Sequence, residues 1–325
     1  MGDIVETPLW MQVWGMKAPH IAAFALFLTL IILVMVFRDF LSKRGKMLEA
    51  TRYGILTTSF VYVGLVLKAQ PTTTNIIILI SGLKELKFPI GLYTLEPFIF
   101  LSFIFITVTL VLWGRGVFCG WLCPYGALLE LLGKAYRKLF PGVRRNLSYG
   151  THKKLAYLKY AIFVVILTAS FFSFMLSEYM TEVEPFRTFV LKLNREWPFV
   201  VYFILITAGS VVLYRAFCRY LCPLGAALAI PMLAPVLPLI NMRRYEFCLR
   251  CRICTDDCGY QAIRPDGVIS TSECMNCLTC QENFWDEDVC PVMIREKRNR
   301  ERETGTTAPM TGQGFPAKDE VGDEL

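Results

Sequence analysis

HIAAFALFLTLIILVMVF, residues 20–37, runs for eighteen residues without a charge. As a helix it rises about 27 Å, close to the roughly 30 Å of a bilayer's hydrocarbon core. Three further stretches have the same length and the same lack of charge: PFIFLSFIFITVTLVLWG (97–114), Tyr160–Ser177 and Trp197–Tyr214. A soluble helix keeps a polar face, and these have none. Tyr53–Leu67 is shorter, but Arg52 and Lys68 at its ends are expected to snorkel outward and let it cross too. The composition agrees, with 54% hydrophobic residues, 19% charged and a mean hydropathy of +0.46. These features predict an all-α polytopic membrane protein of about five transmembrane helices.

Basic residues orient the spans, because lysine- and arginine-rich segments stay in the cytoplasm. Eighteen lie in the segments that follow the first, third and fifth spans, among them Arg38, Lys43, Arg44, Lys134, Arg137, Arg144, Arg145, Arg215 and Arg243, against seven in the opposite set. The N-terminus is expected outside and the C-terminus inside. The net charge of +7 is therefore topological rather than a nucleic-acid footprint, since the basic residues gather beside apolar runs instead of forming one stripe. No basic region precedes the first span and no small-residue cleavage site follows it, so it reads as a retained anchor near Met1. Leu221–Met242 is also free of charge, yet Pro223, Pro231, Pro235 and Pro238 break it, so a re-entrant or surface-lying segment is expected rather than a sixth span. Asn75–Leu83 is expected to dip into the outer interface. The charged and polar chain beyond Ile294, and residues 299–325 as a unit, read as disordered.

Eight of the twelve cysteines fall between Cys248 and Cys290. Cys248, Cys251, Cys254 and Cys258 form a C-x2-C-x2-C-x3-C run. Cys274, Cys277 and Cys280 form a second, whose fourth member is delayed to Cys290-Pro291 by the insertion Gln281–Val289. Three thiolates at this spacing wrap one corner of a cubane, and in two-cluster ferredoxins the fourth cysteine ligates the other cluster. Two [4Fe–4S] clusters are expected, one on Cys248, Cys251, Cys254 and Cys290 and the other on Cys274, Cys277, Cys280 and Cys258, in a small cytoplasmic ferredoxin-like module over residues 246–298. Structural zinc sites show C-x-x-C pairs, often with histidine, rather than triplets. Disulfides do not suit the cytoplasmic side.

Residues 1–245 make the transmembrane domain, and it contains a repeat. FCGWLCPYGA (118–127) closes the third span and FCRYLCPLGA (217–226) the fifth, with seven identities in ten positions. Cys123 and Cys222 precede proline, which places them at helix N-caps, where a thiol pKa is ordinarily lowered. Cys119, Cys123, Cys218 and Cys222 thus form a candidate redox or metal site at the inner edge of the membrane, the alternative being small residues packed at a turn. Haem is not supported, because His20 and His152, the two histidines, fall on opposite sides. No glycine-rich nucleotide fingerprint is present. Glu178, Glu182, Glu184 and Glu196 read as solvated outer-loop charges.

The paired F-C-x-x-L-C-P-x-G-A segments beside a double ferredoxin run resemble the NosR/NapH family of membrane polyferredoxins. WGRGVFCGWLCPYGALLELL, VEPFRTFVLKLNREWPF, FCRYLCPLGAALAIP and DEDVCPV carry the likeness, most closely to the membrane half of the NosR type. The resemblance implies an inner-membrane electron-transfer protein, rather than a stand-alone enzyme, acting in denitrification. It would pass electrons toward a periplasmic reductase such as nitrous oxide reductase, or serve that copper enzyme's maturation or regulation. A metal-ion reductase using the C-x3-C-P cysteines is a third option. Implied partners are the lipid bilayer, quinol or another membrane redox partner, and a periplasmic reductase or flavoprotein. NosR-type proteins carry a flavinylated periplasmic domain before the spans. Fewer than twenty residues precede His20 here, so any flavin step is expected to be absent or supplied by a partner.

Overall fold

The computed structural model describes residues 8–84, 95–140, 147–234, 237–240, 242, 244–245 and 248–303. Pro235, Arg144, Arg145, Arg243 and the tail beyond Glu303 lie outside these. Among the described residues the chain is helical, and its single β-bridge pairs Ile263 with Ile269.

Two helical stretches are both long and apolar enough to cross a membrane: α1 (Leu9–Val36) and the stretch Tyr149–Phe172. The second is built from α7 (Tyr149–Ala156) and α8 (Leu158–Phe172). Between the two, α2 (Arg38–Ser42) and α3 (Gly45–Thr58) are followed by a π-helical continuation (Ser59–Val66), then α4 (Thr73–Lys84), α5 (Pro97–Trp113) and α6 (Pro124–Leu139). Apolar α5 and α11 (Trp197–Val212) have 17 and 16 residues and rise about 25 Å each. The uncharged run 160–177 does not form one helix. Ser173 adopts an extended backbone and its side chain caps α9 (Phe174–Met180), which folds back against α8.

The proline-rich stretch is broken as its sequence demands. A π-turn at Phe217–Leu221 leads into α12 (Pro223–Ala229) and a 3₁₀ turn to Leu233, after which Leu239 and Ile240 donate backbone hydrogen bonds to Val111 and Leu112 at the end of α5. Phe118–Leu122 makes the matching π-turn before α6. In both copies the cysteine before proline is extended, as a pre-proline residue must be, and its N–H reaches back 2.9 Å to the carbonyl that opens the turn.

Tyr125, at the start of α6, sits inside a cage of aromatic rings. Phe186, Phe189, Phe203 and Phe217 pack on it with centroids 5.5–6.3 Å away. Phe186 and Phe189 belong to α10 (Phe186–Val190), in a segment the basic-residue count assigns to the outer side. A segment distant in sequence thus packs on the start of α6.

The C-terminal module contains α13 (Ile253–Asp257), α14 (Thr279–Trp285) and α15 (Pro291–Glu303). The last corrects the expectation of disorder beyond Ile294. Arg295–Glu303 is helical, begun by Pro291 at the first position and tied by Lys297 to Asp288 and by Arg300 to Glu287.

Candidate iron–sulfur and cysteine sites

The two cysteine runs adopt the same backbone. Arg250 and Arg252 on either side of Cys251, and Asn276 and Leu278 on either side of Cys277, all have positive φ. Such residues are costly unless the surroundings require them, and alternating handedness turns successive N–H groups toward one point, a known cradle for iron–sulfur centres. The third cysteine of each run, Cys254 or Cys280, then enters the first turn of α13 or α14.

Two cavities separate the thiols. One of about 270 Å³ is lined by Cys254, Cys258, Cys274, Cys277 and Cys280. The other is lined by Cys248, Cys251, Cys254, Cys280 and Cys290. Cys254 and Cys280 line both, while Cys258 falls only with Cys274 and Cys277, and Cys290 only with Cys248 and Cys251, so the fourth cysteine of each run sits with the other run. Cys251 is exposed, and the remaining seven are partly buried. The surroundings suit an anionic group, because among the described residues buried guanidinium nitrogens lack a protein partner at Arg52 Nη1, Arg115 Nε, Arg215 Nε and Arg219 Nε near the first cavity and at Arg244 Nε near the second.

The membrane repeat clasps the first cavity from two sides. A Cβ added to Gly116 or Gly120 would stand 2.5 Å from Cys274 O or 2.2 Å from Met275 O, so these glycines let the loop seat. Trp121 Nε1 donates to Asn276 O and Asn276 Nδ2 to Trp113 O, both at 2.9 Å. Ninety-nine residues on, the same positions carry Arg215 and Arg219. Arg219 donates to Gly259 O and Gln261 Oε1, while Arg215 lies 2.8 Å from Glu130. Glu130 also accepts from Arg52 and from Tyr260 Oη at 2.8 Å. Burial alone would raise the Glu130 carboxyl, but the two arginines hold it down at about 2. Arg52 is 4% exposed, so it turns inward instead of snorkelling. Beside Cys274, Glu273 binds Lys159 at 2.7 Å and Arg115 at 3.3 Å. The insertion before Cys290 forms most of α14, whose Phe284 and Trp285 stack on Tyr245, with Lys43 over the Trp285 ring. It fastens the module to the α2–α3 connection.

The four C-x3-C-P cysteines share one buried region. Cys218 lies within the field of both Cys119 and Cys123, and Cys222 within that of Cys119 and Cys218. Cys123 and Cys222 are helix N-caps, their sulfurs accepting from Gly126 N at 3.4 Å and Gly225 N at 3.2 Å. The expected lowering of their pKa does not follow. Burial outweighs the cap and pushes all four thiols up, Cys119 to about 11 and Cys218 to about 12.

Two residues outside the repeat reach this region, and the pattern of charges gave no sign of either. Gln70 donates to Cys123 Sγ at 3.6 Å and accepts from Tyr125 N at 3.4 Å. Glu184, 3% exposed rather than solvated, accepts from Thr73 N and Oγ1 and from Leu224 N. Burial pushes Glu184 up to about 7. Glu178 and Glu182 pair with Arg187, and Glu182 also with Arg195. His152 is likewise buried, between Tyr220 and Arg219.

A family model described as NosR matches residues 246–301, and one described as a 4Fe-4S binding domain matches twice, at 95–142 and 196–233, once on each half of the repeat. Over 312 residues the chain is 37% identical to the regulatory protein NosR of Pseudomonas aeruginosa, covering 96% of this chain and 43% of that protein. It is 38% identical over 301 residues to the protein NirI of Paracoccus denitrificans, covering 92% and 44%. The ferredoxin-type protein NapH of Haemophilus influenzae is 28% identical over 181 residues, covering 55% and 48%. The chain spans less than half the length of each of these relatives. No solved structure matches it.

Proposed function

We propose, from the premise that this chain belongs to the NosR-type family of iron–sulfur proteins, that it carries electrons between a donor at the inner face of the cytoplasmic membrane and a periplasmic reductase such as nitrous oxide reductase. An iron–sulfur role in electron transfer or regulation is common ground with its relatives. The finer reading is a five-span chain, N-terminus out and C-terminus in. Its crossings are α1, α3 with its π-helical continuation, α5, the α7–α8 stretch and α11, supported by the distribution of basic residues.

The observation that carries the proposal is the crossed pairing of the cavities. Cys248, Cys251, Cys254 and Cys290 would hold one [4Fe–4S] cluster, and Cys258, Cys274, Cys277 and Cys280 the other. Bound there, the clusters supply two one-electron stations, and the protein supplies their spacing, shielding and charge. The site at Cys258, Cys274, Cys277 and Cys280 is enclosed by the membrane repeat, and Cys119 packs against the same buried cluster of Tyr214, Tyr260, Ala262 and Met275 as Cys258, Cys274 and Cys277 do. The C-x3-C-P cysteines therefore stand next in line as a redox or metal site. A cleft of about 660 Å³ between His152, Tyr157, Tyr160, Ile230, Leu233 and Glu273 suits an amphipathic membrane redox partner, since Glu273, the residue before Cys274, lines it.

A strain lacking the chain tests this reading. A reductase that keeps its copper but turns over slowly supports electron supply. A copper-deficient reductase would instead make the chain a maturation factor.

A further inference from the structure

We propose that a surplus of buried cations raises the reduction potential of the cluster at Cys258, Cys274, Cys277 and Cys280 above that of its neighbour, so that electrons run from the exposed cluster toward the membrane part. This rests on the ligand sets proposed above and adds to them a direction.

Five cations surround the enclosed site with almost no exposure: Arg52 (4%), Arg115 (1%), Arg215 (0%), Arg219 (1%) and Lys159 (0%). Two carboxylates oppose them, Glu130 and Glu273. Arg52 and Glu130 line the cavity itself. The fields of the others reach the ligands, Arg219 at Cys258 and Arg115 at Cys274. Arg215 holds Glu130 and lies over the Tyr260 ring at 5.4 Å. The rim of the cavity adds Glu49, Lys134, Arg137, Asp257 and Glu282, which are exposed or half-exposed and nearly cancel.

A cubane on four thiolates carries a net negative charge that grows by one on reduction. An uncompensated positive field therefore favours the reduced state, and most strongly where water is excluded. The other site has no such surplus. Among the described residues Arg244, 3.6 Å from Cys248, is the one cation lining its cavity; Arg250 and Arg252, which flank Cys251, are exposed, and Cys251 opens the site to solvent. The orphaned nitrogens of Arg52, Arg115, Arg215 and Arg219 mark the same asymmetry, because buried guanidinium donors without a protein acceptor await an anion.

Potentiometric titration of the anaerobically purified full chain, followed by EPR, tests this. The two signals are assigned by which is lost in Cys274→Ser, and iron is counted first. The assigned cluster should reduce before its neighbour. Arg215→Gln should move its potential down relative to the other by at least tenfold in the electron's partition, about 59 mV for a one-electron couple. Lys159→Gln, on a helix that contributes no cysteine, should move it the same way if Arg215→Gln does not fold. Equal potentials, or both clusters shifting together, would overturn the proposal while leaving the two-cluster reading standing. A chain with fewer than eight irons and one EPR species would sink the ligand reading and the proposal with it.

Discussion

Gly116 and Gly120 offer the sharpest test of how the iron–sulfur module is seated. An alanine Cβ at residue 120 would sit 2.2 Å from Met275 O and 3.3 Å from Met275 C. At residue 116 it would meet Cys274 O at 2.5 Å and Met275 C at 2.7 Å. Both obstacles are backbone of the ligand loop, so no rotamer relieves the clash and the loop must retreat by about 1 Å. Overpacking of this kind costs roughly 1–3 kcal/mol. The two hydrogen bonds that pin Asn276 to Trp113 and Trp121 are worth about 0.5–1.5 kcal/mol each. Together they come to roughly 2–6 kcal/mol, enough to weaken seating more than tenfold. Gly120→Ala should therefore lose the EPR signal of the Cys258/Cys274/Cys277/Cys280 cluster and about half the iron, while the neighbouring cluster persists. Gly209→Ala is the control, since a Cβ there meets nothing within 4 Å. A Gly120→Ala chain that keeps both signals and its full iron would refute the cradle.

Three further outcomes are expected. Cys258→Ala should damage the cluster of Cys274, Cys277 and Cys280 rather than the one adjacent in sequence, and selective loss of the Cys248 signal in EPR would reverse the ligand sets. Glu184 holds its proton to about pH 7 when folded but only to about 4.5 when unfolded, so its contribution to stability falls as pH rises between those values, by up to about 3 kcal/mol, and then levels; thermal melts of Glu184→Gln should show a flatter profile across that window. Iron and sulfide analysis should give eight irons per chain, unchanged in the Cys123→Ser/Cys222→Ser double variant, whereas twelve falling to eight would mean that the C-x3-C-P cysteines hold a third cubane.

The helices, the cysteine runs and the repeat were legible because each leaves a local mark: an uncharged run, a fixed spacing, a copied decapeptide. Burial of single charges left none. Arg52 looks like a residue that flanks a short span, and Glu184 like one of several acids in a polar loop. What decides their fate is a partner far along the chain, Glu130 for the first and Thr73 and Leu224 for the second. The thiol pKa values failed for a related reason. The N-cap was correctly inferred from Cys-Pro, but the cap's favourable field is smaller than the cost of desolvating a thiolate inside a packed bundle. The break at Ser173 was hidden because hydropathy measures only the absence of charge, and a serine that can cap a new helix satisfies that as well as any leucine.

The duplication itself reaches further than the decapeptides. Tyr125 and Leu224 are equivalent positions in the two copies, and the backbone N–H of each is taken by a buried polar side chain from outside the repeat, Gln70 in the first half and Glu184 in the second. Those two partners are 114 residues apart while the helices they cap are 99 apart, so no single offset aligns them and no sequence repeat registers. Each half thus has the same plan: a segment distant in sequence delivers one polar side chain to the first turn of the helix that follows a cysteine pair. The halves differ in what they deliver. An amide is neutral at every pH, whereas the carboxyl that replaces it stays neutral only while it holds a proton, which burial makes it do. Glu184 is therefore the titratable member of an otherwise neutral pair, and it stands within the field of Cys222.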